Sequence, residues 1–385
     1  MKISEEVLKE KDYCISLRRH FHKYPELSLQ EYKTAKKIEE ELDKLSIKHE
    51  RVGETGVVGY LYGKKKGKTI GIRADMDALA IEEKTNKEYA SLHQGVMHAC
   101  GHDSHTAALL LVGKLLKDYD FDGEIRLFFQ QSEENGQGAR QFVQKGLCKD
   151  LDRVVAYHAV SDLPIGTVSI TPGPQMASCD YFKIEVKGKA AHVSTPHLGI
   201  DALSIACQIV TALKSIVSTT INPLDTVIIG VGKMESGTAY NIVADSAMIE
   251  GTTRTFSIKT RLQVNGLIKS IANNIASSYG ANCHTTIINY ANPLINDEDV
   301  CRELLLASSK YATRTITDYQ RKLGADDFAD FLEACKGCYI QVGSSNDIDQ
   351  ETSSAHHNEL FDIDERSMLL AASIIIDYVK DYLKN

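Results

Sequence analysis

Histidine, cysteine and acidic residues gather in one short segment of the chain. The segment HACGHDSH, residues 98–105, holds three histidines, a cysteine and an aspartate. Imidazole nitrogen, thiolate sulfur and carboxylate oxygen together form the donor set of a divalent metal of borderline softness. So many donors in eight residues are hard to explain by structure alone. The segment therefore predicts a metal site.

Further donors follow predicted strands elsewhere in the chain. Asp75 and Asp77 come after TIGIRA, Glu133-Glu134 follow EIRLFFQQ, and His158 ends the run RVVAYH. Each alone has an ordinary interpretation: a loop acid, solvated surface carboxylates, or a histidine of the core. Because ligands of an open parallel sheet bind at the carboxyl ends of its strands, the groups together support one site. A further candidate is the pair His356-His357, in a loop before the last predicted helix.

This donor set suits hydrolysis by an activated water. Two divalent ions about 3.5–4 Å apart can share a water and lower its pKa toward 7. Cys100 would bind as a thiolate. Of the adjacent Glu133 and Glu134, only one need face a metal, so the other is free to act as the general base.

Strands that alternate with helices position these groups. Apolar spacing predicts a helix over 25–45, with Pro25 in its first turn, and a second helix from about Ser104 that Asp103 or Ser104 caps. Strands at 69–75, 124–130 and 153–159 precede or contain the donors. This order predicts an α/β fold with a central, mainly parallel sheet flanked by helices.

The pattern changes near residue 180. The strand 181–188 alternates strictly between apolar and charged residues, and together with the elements that follow it gives the order β-α-β-β-α-β of a ferredoxin-like unit. We therefore expect a catalytic domain in two parts, 1–179 and 292–385, with an inserted α+β lid or dimerisation domain at 180–291. We also expect strand 181–187 to have a free edge available for pairing.

Composition excludes several classes of protein. The 385 residues carry a net charge of -8, with 43% hydrophobic and 25% charged residues. These values are ordinary for a soluble globular protein and do not favour nucleic acid or a membrane as partner. The N-terminus lacks the apolar core of a signal peptide, so we expect a cytoplasmic protein with reduced thiols. The isolated pair Cys335 and Cys338 is interpreted as a turn with two incidental thiols.

Motifs along nearly the whole chain resemble the amidohydrolase branch of the M20 metallopeptidases, which includes hippurate hydrolases, N-acyl-amino-acid deacetylases and auxin-conjugate hydrolases. The resemblance rests on RRHFH and PEL near the N-terminus, RADMDAL and MHACGHD before the second helix, the EE pair, GKAAH, GTAYN and GTTR in the insert, and GADDF and HN…FD near the C-terminus. HACGHD with a downstream EE pair is specific to this branch. The expected fold agrees with the one argued above.

The resemblance implies roles for individual residues. Two divalent ions, Zn or Mn with Co or Ni as possible replacements, would be held by five ligands: Cys100, His102, Glu134, His158 and His357. His356 is the lesser alternative to His357, because the family phenylalanine lies four positions after the ligand, at Phe361, while Glu359 stands where a proline is usual. Glu133 would be the general base.

The remaining implied roles concern orientation and substrate. Asp75 would orient a metal-bound imidazole, that of His102 or His357, with Asp77 and Asp103 as weaker candidates for the same role. His192 would donate to the oxyanion, often in the partner subunit's active site. Asn241 and Arg254 would face the substrate.

The expected function is metal-dependent hydrolysis of an N-acyl amino acid to a carboxylic acid and a free amino acid. N-acetyl, N-benzoyl, N-acetyl-diaminopimelate and S-substituted N-acetylcysteine substrates stay open, as does the choice between a homodimer and a homotetramer. Two alternatives remain: a dipeptidase or aminopeptidase of the same family, and a non-catalytic metal-binding protein on this fold. The intact Glu133 argues against the last.

Overall fold

The computed structural model describes residues 1–384, and they form ten α-helices and sixteen strands. The helices are α1 (Glu5–Lys9), α2 (Lys11–Lys23), α3 (Tyr32–Lys44), α4 (His102–Leu116), α5 (Ala139–Gln144), α6 (Ala202–Thr219), α7 (Ile258–Ser278), α8 (Glu298–Tyr311), α9 (Phe328–Ala334) and α10 (Arg366–Lys384). The strands are β1 (Lys48–Val52), β2 (Gly56–Tyr62), β3 (Thr69–Asp75), β4 (Glu124–Gln130), β5 (Arg153–Pro164), β6 (Thr167–Ser169), β7 (Gly173–Met176), β8 (Cys179–Lys187), β9 (Ala191–His192), β10 (Val227–Ser236), β11 (Ile242–Val243), β12 (Ser246–Thr255), β13 (Asn282–Ala291), β14 (Leu294–Asn296), β15 (Arg314–Ile316) and β16 (Gly337–Ser345).

The chain divides into two compact units. Unit 1 comprises residues 1–173, 295–320 and 326–385, and unit 2 comprises 174–294 and 321–325. Unit 2 thus includes a short segment from far along the chain: the N–H of Lys322 donates to the carbonyl of Gln175 at 2.9 Å. The predicted insert, 180–291, lies within the longer segment of unit 2.

An eight-stranded sheet organises unit 1. Its order is β1-β2-β4-β3-β5-β16-β6-β15. The four central strands, β4, β3, β5 and β16, run parallel, whereas β1, β2 and β6 form antiparallel pairs. Every residue of β3, TIGIRAD, is buried, as expected for the interior of a parallel sheet with both faces covered. The predicted mainly parallel sheet flanked by helices is confirmed.

Two layers of helices cover the strands of unit 1. Phe129 of β4 belongs to the large core that also contains apolar side chains of α2, α3, α4, α8 and α10. The preceding residue, Phe128, packs instead against Phe142 of α5 and Phe331 of α9, with ring centroids 5.6 and 5.2 Å away. Successive residues of a strand face opposite sides of a sheet, so α5 and α9 lie opposite the large core.

The predicted helix at 25–45 is correct only in its second half. α3 begins at Tyr32, and Pro25 lies in the loop after α2. The Glu26 carboxylate accepts from the backbone N–H groups of Lys33 and Thr34, each at 2.8 Å. These are first-turn amides without a partner in the helix, and a negative charge there also favours the helix dipole. Glu26, which was predicted to lie within this helix, therefore caps it from the preceding loop.

Unit 2 contains a four-stranded antiparallel sheet of order β10-β12-β8-β13, with α6 and α7 packed on it. The chain order and sheet order are those of the predicted ferredoxin-like unit. Phe182, Ile184 and Val186 of β8 are buried, as the alternation predicted. The expectation of a free edge on this strand is wrong, because β8 lies between β12 and β13; the edges of the sheet are β10 and β13.

One helix in the described part of the chain is long and apolar enough to cross a membrane by length and composition, and it is α6. Its buried residues, Ala202, Ile205, Ala206, Ile209, Leu213 and Ile216, recur at helical spacing. They belong to the core of unit 2. This spacing is typical of an amphipathic helix that packs on a sheet.

Candidate metal centre

The end of β3, the start of α4, the loop after β4 and the middle of β5 bring the predicted donors of unit 1 together. α4 begins directly after Gly101, whose φ of 90° lies in the left-handed region that glycine adopts without steric cost. That turn sets His102 in the first position of the helix, so Gly101, and not the expected Asp103 or Ser104, occupies the position before the helix.

Hydrogen bonds fix which nitrogen of His102 faces the site. Its Nδ1 lies 2.9 Å from the backbone carbonyl of Asp77, which can only accept, so Nδ1 carries the proton. Nε2 is then a free lone pair. It is buried without a hydrogen-bond partner, 3.9 Å from Oε1 of Glu134, which is also buried and unpartnered. Buried polar atoms rarely stay unpaired, and this pair suits a cation between them.

His158 is oriented in the same way. Its Nδ1 lies 2.7 Å from its neighbour's backbone carbonyl, at Ala159, so Nε2 is again the free nitrogen. This Nε2 is 3.6 Å from the sulfur of Cys100. Burial, followed by the neighbouring imidazoles of His105 and His356, holds the pKa of His158 well below its usual range. The neutral ring is the form that binds a metal.

Two sets of donors meet at Cys100. The first is Cys100, His102 and Glu134, and the second is Cys100, His158 and His356; within each set the donor atoms lie within 4.8 Å of one another. One sulfur is common to both sets. Thiolate, imidazole and carboxylate in these numbers fit two divalent ions that share a ligand, which agrees with the unpartnered atoms of His102 and Glu134.

Both histidines of the loop at 355–358 lie near the thiol. Nδ1 of His356 is 3.6 Å from the sulfur of Cys100. Nε2 of His357 is 3.5 Å from Oε1 of Glu134, and its side chain is 51% exposed. The left-handed backbone of His357, with φ 65°, and a bond from its N–H to the carbonyl of Ala99 at 2.8 Å fix the loop beside the site.

The predicted partner of Asp75 is corrected by the structure. Oδ1 of Asp75 lies 2.5 Å from Nδ1 of His105, and Oδ2 accepts from Arg73 at 2.6 Å. His105 in turn accepts the N–H of Ala159 at its Nε2, 3.0 Å away, so its tautomer is fixed and it has no free nitrogen. Asp75 therefore orients His105, which contacts His158 with ring centroids 4.5 Å apart. His105 belongs to HACGHDSH but had received no role of its own.

Asp77, the weaker candidate, makes the contact to Nδ1 of His102 that was expected of Asp75. Besides the bond from His102 to its carbonyl, its Oδ1 lies 3.3 Å from Nδ1 of that ring. Its two carboxylate oxygens also accept the backbone N–H groups of Glu133 and Glu134, each at 3.1 Å. One buried side chain thus connects a metal-ligand candidate with both acids of the pair. The sequence alone could not separate Asp75 from Asp77, because both follow the same strand.

Glu133 lies among acidic groups. Its Oε2 is 4.0 Å from Nε2 of His102, and its carboxylate is close to those of Asp326 and Asp327. Burial, and then the nearby charges of Asp326 and Glu134, raise the pKa of Glu133 well above its usual range. A carboxyl in such surroundings holds a proton readily, which is a property of a general acid and base.

The predicted residues of unit 2 have different surroundings. His192 is exposed, in the short strand β9, and its Nδ1 accepts from Ser194 at 2.7 Å through the hydroxyl and 3.1 Å through the N–H. Asn241 is exposed as well. Arg254 lies in β12, where its guanidinium donates to the carbonyl of its neighbour, Thr253, at 3.0 Å.

The cysteines of the CxxC pattern do not contact each other as a pair. The sulfur of Cys338 is 3.5 Å from that of Cys301, whereas Cys335 donates to the carbonyl of Leu151 at 3.2 Å. All nine cysteines are free thiols. Only Cys335 and Lys336 lie between α9 and β16, and Cys338 is buried within β16, so the interpretation of 335–338 as a turn is correct only for its first half.

Comparison with known proteins agrees with this site. A sequence profile of peptidase family M20/M25/M40 matches residues 71–381. The chain belongs to this family. The matched segment begins at β3 and contains every donor described above, and a peptidase cleaves amide bonds by hydrolysis. The protein is therefore an amide-bond hydrolase.

Individual relatives share nearly the whole chain. An N-acetyl-L-cysteine deacetylase of Bacillus subtilis is 38% identical over 96% of this chain and 88% of its own length. Thermostable carboxypeptidase 1 of Saccharolobus solfataricus is 39% identical over 96% of this chain and 95% of its own. The crystal structure of the Bacillus subtilis YXEP protein, a dinuclear metal-binding peptidase of the M20 family, superposes with a TM-score of 0.84 at 31% identity, covering 98% of this chain and 99% of that one.

Proposed function

We propose that the protein hydrolyses the amide bond of N-acyl amino acids with two bound divalent metal ions and Glu133 as general base. The products are a carboxylic acid and a free amino acid. The observation that carries the proposal is the pair of donor sets that share Cys100, with Glu133 beside His102. By their names, the deacetylase and the carboxypeptidase described above both cleave an amide bond to the nitrogen of an amino acid whose carboxylate is free.

Five residues would hold the metals: Cys100, His102, Glu134, His158 and a histidine of the 355–358 loop. Cys100 would contribute its sulfur to both ions as a thiolate. Bound divalent cations supply positive charge that acidifies a water and polarises the substrate carbonyl. We propose zinc or manganese as the native metals; a thiolate and imidazoles favour zinc. For the histidine of the loop we propose His357, with His356 as the alternative.

Glu133 would move the proton. Its carboxylate takes a proton from the water that attacks the carbonyl carbon, and the protonated carboxyl then gives that proton to the leaving amine nitrogen. Burial, together with the nearby charges of Asp326 and Glu134, raises the pKa of Glu133 and so helps it to hold the proton between the two transfers. The balance is one water consumed, one C–N bond broken, and one acid and one amine formed.

Two carboxylates would position these groups. Asp77 holds Nδ1 of His102 and the amides of Glu133 and Glu134, so that the free Nε2 and the carboxylate of the base stay close. Asp75 holds His105, which packs against His158. Neither carboxylate needs to touch the substrate.

Unit 2 would supply the substrate contacts. We propose that His192 donates a hydrogen bond to the oxyanion that forms at the substrate carbonyl. Arg254 would bind the free carboxylate of the amino acid, for which a guanidinium has the matching bidentate geometry, and Asn241 would face the substrate. In this arrangement the acyl group is the variable part, so N-acetyl and N-benzoyl amino acids are both substrates to test.

The test measures amino-acid release from N-acetyl, N-benzoyl and N-acetyl-diaminopimelate substrates, with free dipeptides as the comparison. The reduced protein is loaded separately with zinc and with manganese. We expect release from at least one acyl class, and in Glu133→Gln a loss of about 10²- to 10⁴-fold in kcat with both metals retained. Faster cleavage of dipeptides than of every N-acyl amino acid would move the assignment to a dipeptidase. Full turnover by Glu133→Gln would show that Glu133 is not the general base.

A further inference from the structure

Three consecutive backbone amides precede and include the acidic pair, and each donates to a buried carboxylate. The N–H groups of Glu133 and Glu134 are held by Asp77, as described above. The N–H of Ser132 donates to Oε1 of Glu31 at 2.8 Å. Glu31 directly precedes α3, far from the donors in the sequence, and its side chain is completely buried.

Ser132 has a backbone conformation that its residue type disfavours. Its φ is 53°, in the left-handed region, where a side chain with Cβ is strained and glycine is not. Its hydroxyl is buried without a hydrogen-bond partner. Neither the side chain of Ser132 nor its own backbone preference therefore explains the turn. Strained residues of this kind persist only where their surroundings hold them.

Glu31 is the group that holds this turn from outside. Its second oxygen, Oε2, accepts the hydroxyl of Thr55 at 2.7 Å, so the carboxylate is fixed at both oxygens. Of these two contacts of Glu31, only the bond to the amide of Ser132 leads toward the site, because Ser132 lies one residue before Glu133. The chain changes direction at Ser132 as it leaves β4. The conformation of Ser132 therefore sets the position of the backbone of Glu133.

We propose that Glu31 is a positioning residue for catalysis, which holds the left-handed turn at Ser132 and so sets the carboxylate of Glu133 in place. The inference rests on the proposed role of Glu133 as base. The hydrogen bonds of the Glu31 carboxylate go to Ser132 and Thr55 and not to the donor atoms of the metal site. Its effect should therefore appear in the rate of the chemical step and not in metal or substrate binding.

The test compares Glu31→Ala with Glu31→Gln. The glutamine can accept from Ser132 at its oxygen and donate to the hydroxyl of Thr55 at its amide, so it keeps both contacts. We expect Glu31→Ala to lose about 10- to 100-fold in kcat, with KM and the content of both metals unchanged, since a small displacement of a reacting group has an effect of that size. Glu31→Gln should recover most of kcat.

Two further variants separate positioning from general stability. Thr55→Val removes the other contact of Glu31 and leaves the bond to Ser132, so kcat should stay within about twofold of the parent value. Ser132→Gly allows the left-handed turn without strain, so the double variant Glu31→Ala/Ser132→Gly should recover about 3- to 10-fold in kcat over Glu31→Ala. Thermal unfolding of each variant, measured with metals bound, identifies any that do not fold.

The outcomes are distinct. If Glu133→Gln loses activity while Glu31→Ala keeps its kcat, the positioning role of Glu31 is wrong and the proposed function stands. If Glu133→Gln is fully active, the proposed function itself fails. If Thr55→Val loses as much kcat as Glu31→Ala, or Ser132→Gly gives no recovery, Glu31 acts by supporting the fold around Thr55 and the inference is overturned.

Discussion

Residues with predicted roles have different surroundings in the two units. In unit 1 the donors other than His357 are buried or half-buried and are connected through further partners: the single residue Asp77 contacts His102, Glu133 and Glu134. In unit 2 His192 and Asn241 are exposed, and the guanidinium of Arg254 donates to two residues that directly precede it in the sequence, Thr252 and Thr253. A group that must have an exact position at all times is built into the core, whereas a group that meets a substrate only transiently can be held on the surface.

The largest effect is expected at the sulfur shared by both donor sets. Cys100→Ala should remove at least one metal and lower activity by at least about 10³-fold, because it removes a ligand from both sets. Metal content by elemental analysis and turnover would be measured on the same sample. The matched control is Cys207→Ala, an exposed thiol of unit 2, which should change neither. Two bound metals in Cys100→Ala would contradict the sharing of this ligand.

The next effect distinguishes the adjacent histidines of the loop. With His357 as the ligand, His357→Ala should lose one metal and about 10²-fold in activity, and His356→Ala about tenfold or less. The two variants are each other's control, since they remove the same side chain from neighbouring positions. Because Nδ1 of His356 lies 3.6 Å from the sulfur of Cys100, the reverse result would assign the ligand to His356.

An effect on the rate alone is expected in unit 2. His192→Ala should lower kcat by about 10²- to 10³-fold, the range for one oxyanion donor, and leave both metals bound. His197→Ala, another exposed histidine of the same unit, should be neutral. The contrast between the units would then be measurable directly: loss of metal in variants of the unit 1 ligands, and loss of rate alone in His192→Ala of unit 2. Unchanged kcat in His192→Ala would exclude it as the donor.

The smallest effect concerns stability. His22 of α2 lies 2.8 Å from Asp103 and 3.2 Å from Glu83. Burial and the Arg18 guanidinium lower its pKa, but these two carboxylates outweigh them and raise the pKa to about 9. A raised pKa means that the folded protein binds the proton more tightly, so this stabilisation is complete below about pH 6.5 and disappears as the pH rises through 9.

Denaturant unfolding at pH 6.5 and pH 9.5 would measure this dependence. The free energy of unfolding should fall by about 1–3 kcal/mol over this range, from the linkage of one shifted group. His22→Gln has no proton to lose and should flatten that part of the profile, although it is less stable at the lower pH. An equally steep profile in His22→Gln would place the titrating group elsewhere.

Local sequence patterns predicted several strands of unit 1 well. The bounds of β3 and β4 are those of the strands predicted at 69–75 and 124–130, because each is a mostly apolar run with clear ends. The structure also brings the predicted donors of unit 1 close together, as expected for several ligand types that seldom occur together by chance. Membership of the family and hydrolysis of amide bonds are confirmed.

Predictions that depended on distant contacts were less successful. The start of α3 is set by a loop carboxylate, Glu26, and the position of β8 inside its sheet by the return of β13 beside it. The choice between Asp75 and Asp77 depends on which of them bonds to Nδ1 of His102. None of these contacts leaves a periodic signal in the sequence, because each joins residues outside the element whose pattern was used for the prediction.

The position of β16 in the sheet has a consequence for how the protein is made. β16 pairs with both β5 and β6, although it follows them by more than a hundred and fifty residues in the chain. While the polypeptide leaves the ribosome, the apolar edge of β5 therefore stays unpaired until β16 has been synthesised. Unpaired strand edges promote aggregation. The loop with His356 and His357 emerges later still. With the proposed ligand set, the metal site is therefore completed only after β16 has been synthesised, and expression in metal-poor medium should affect this late step of maturation.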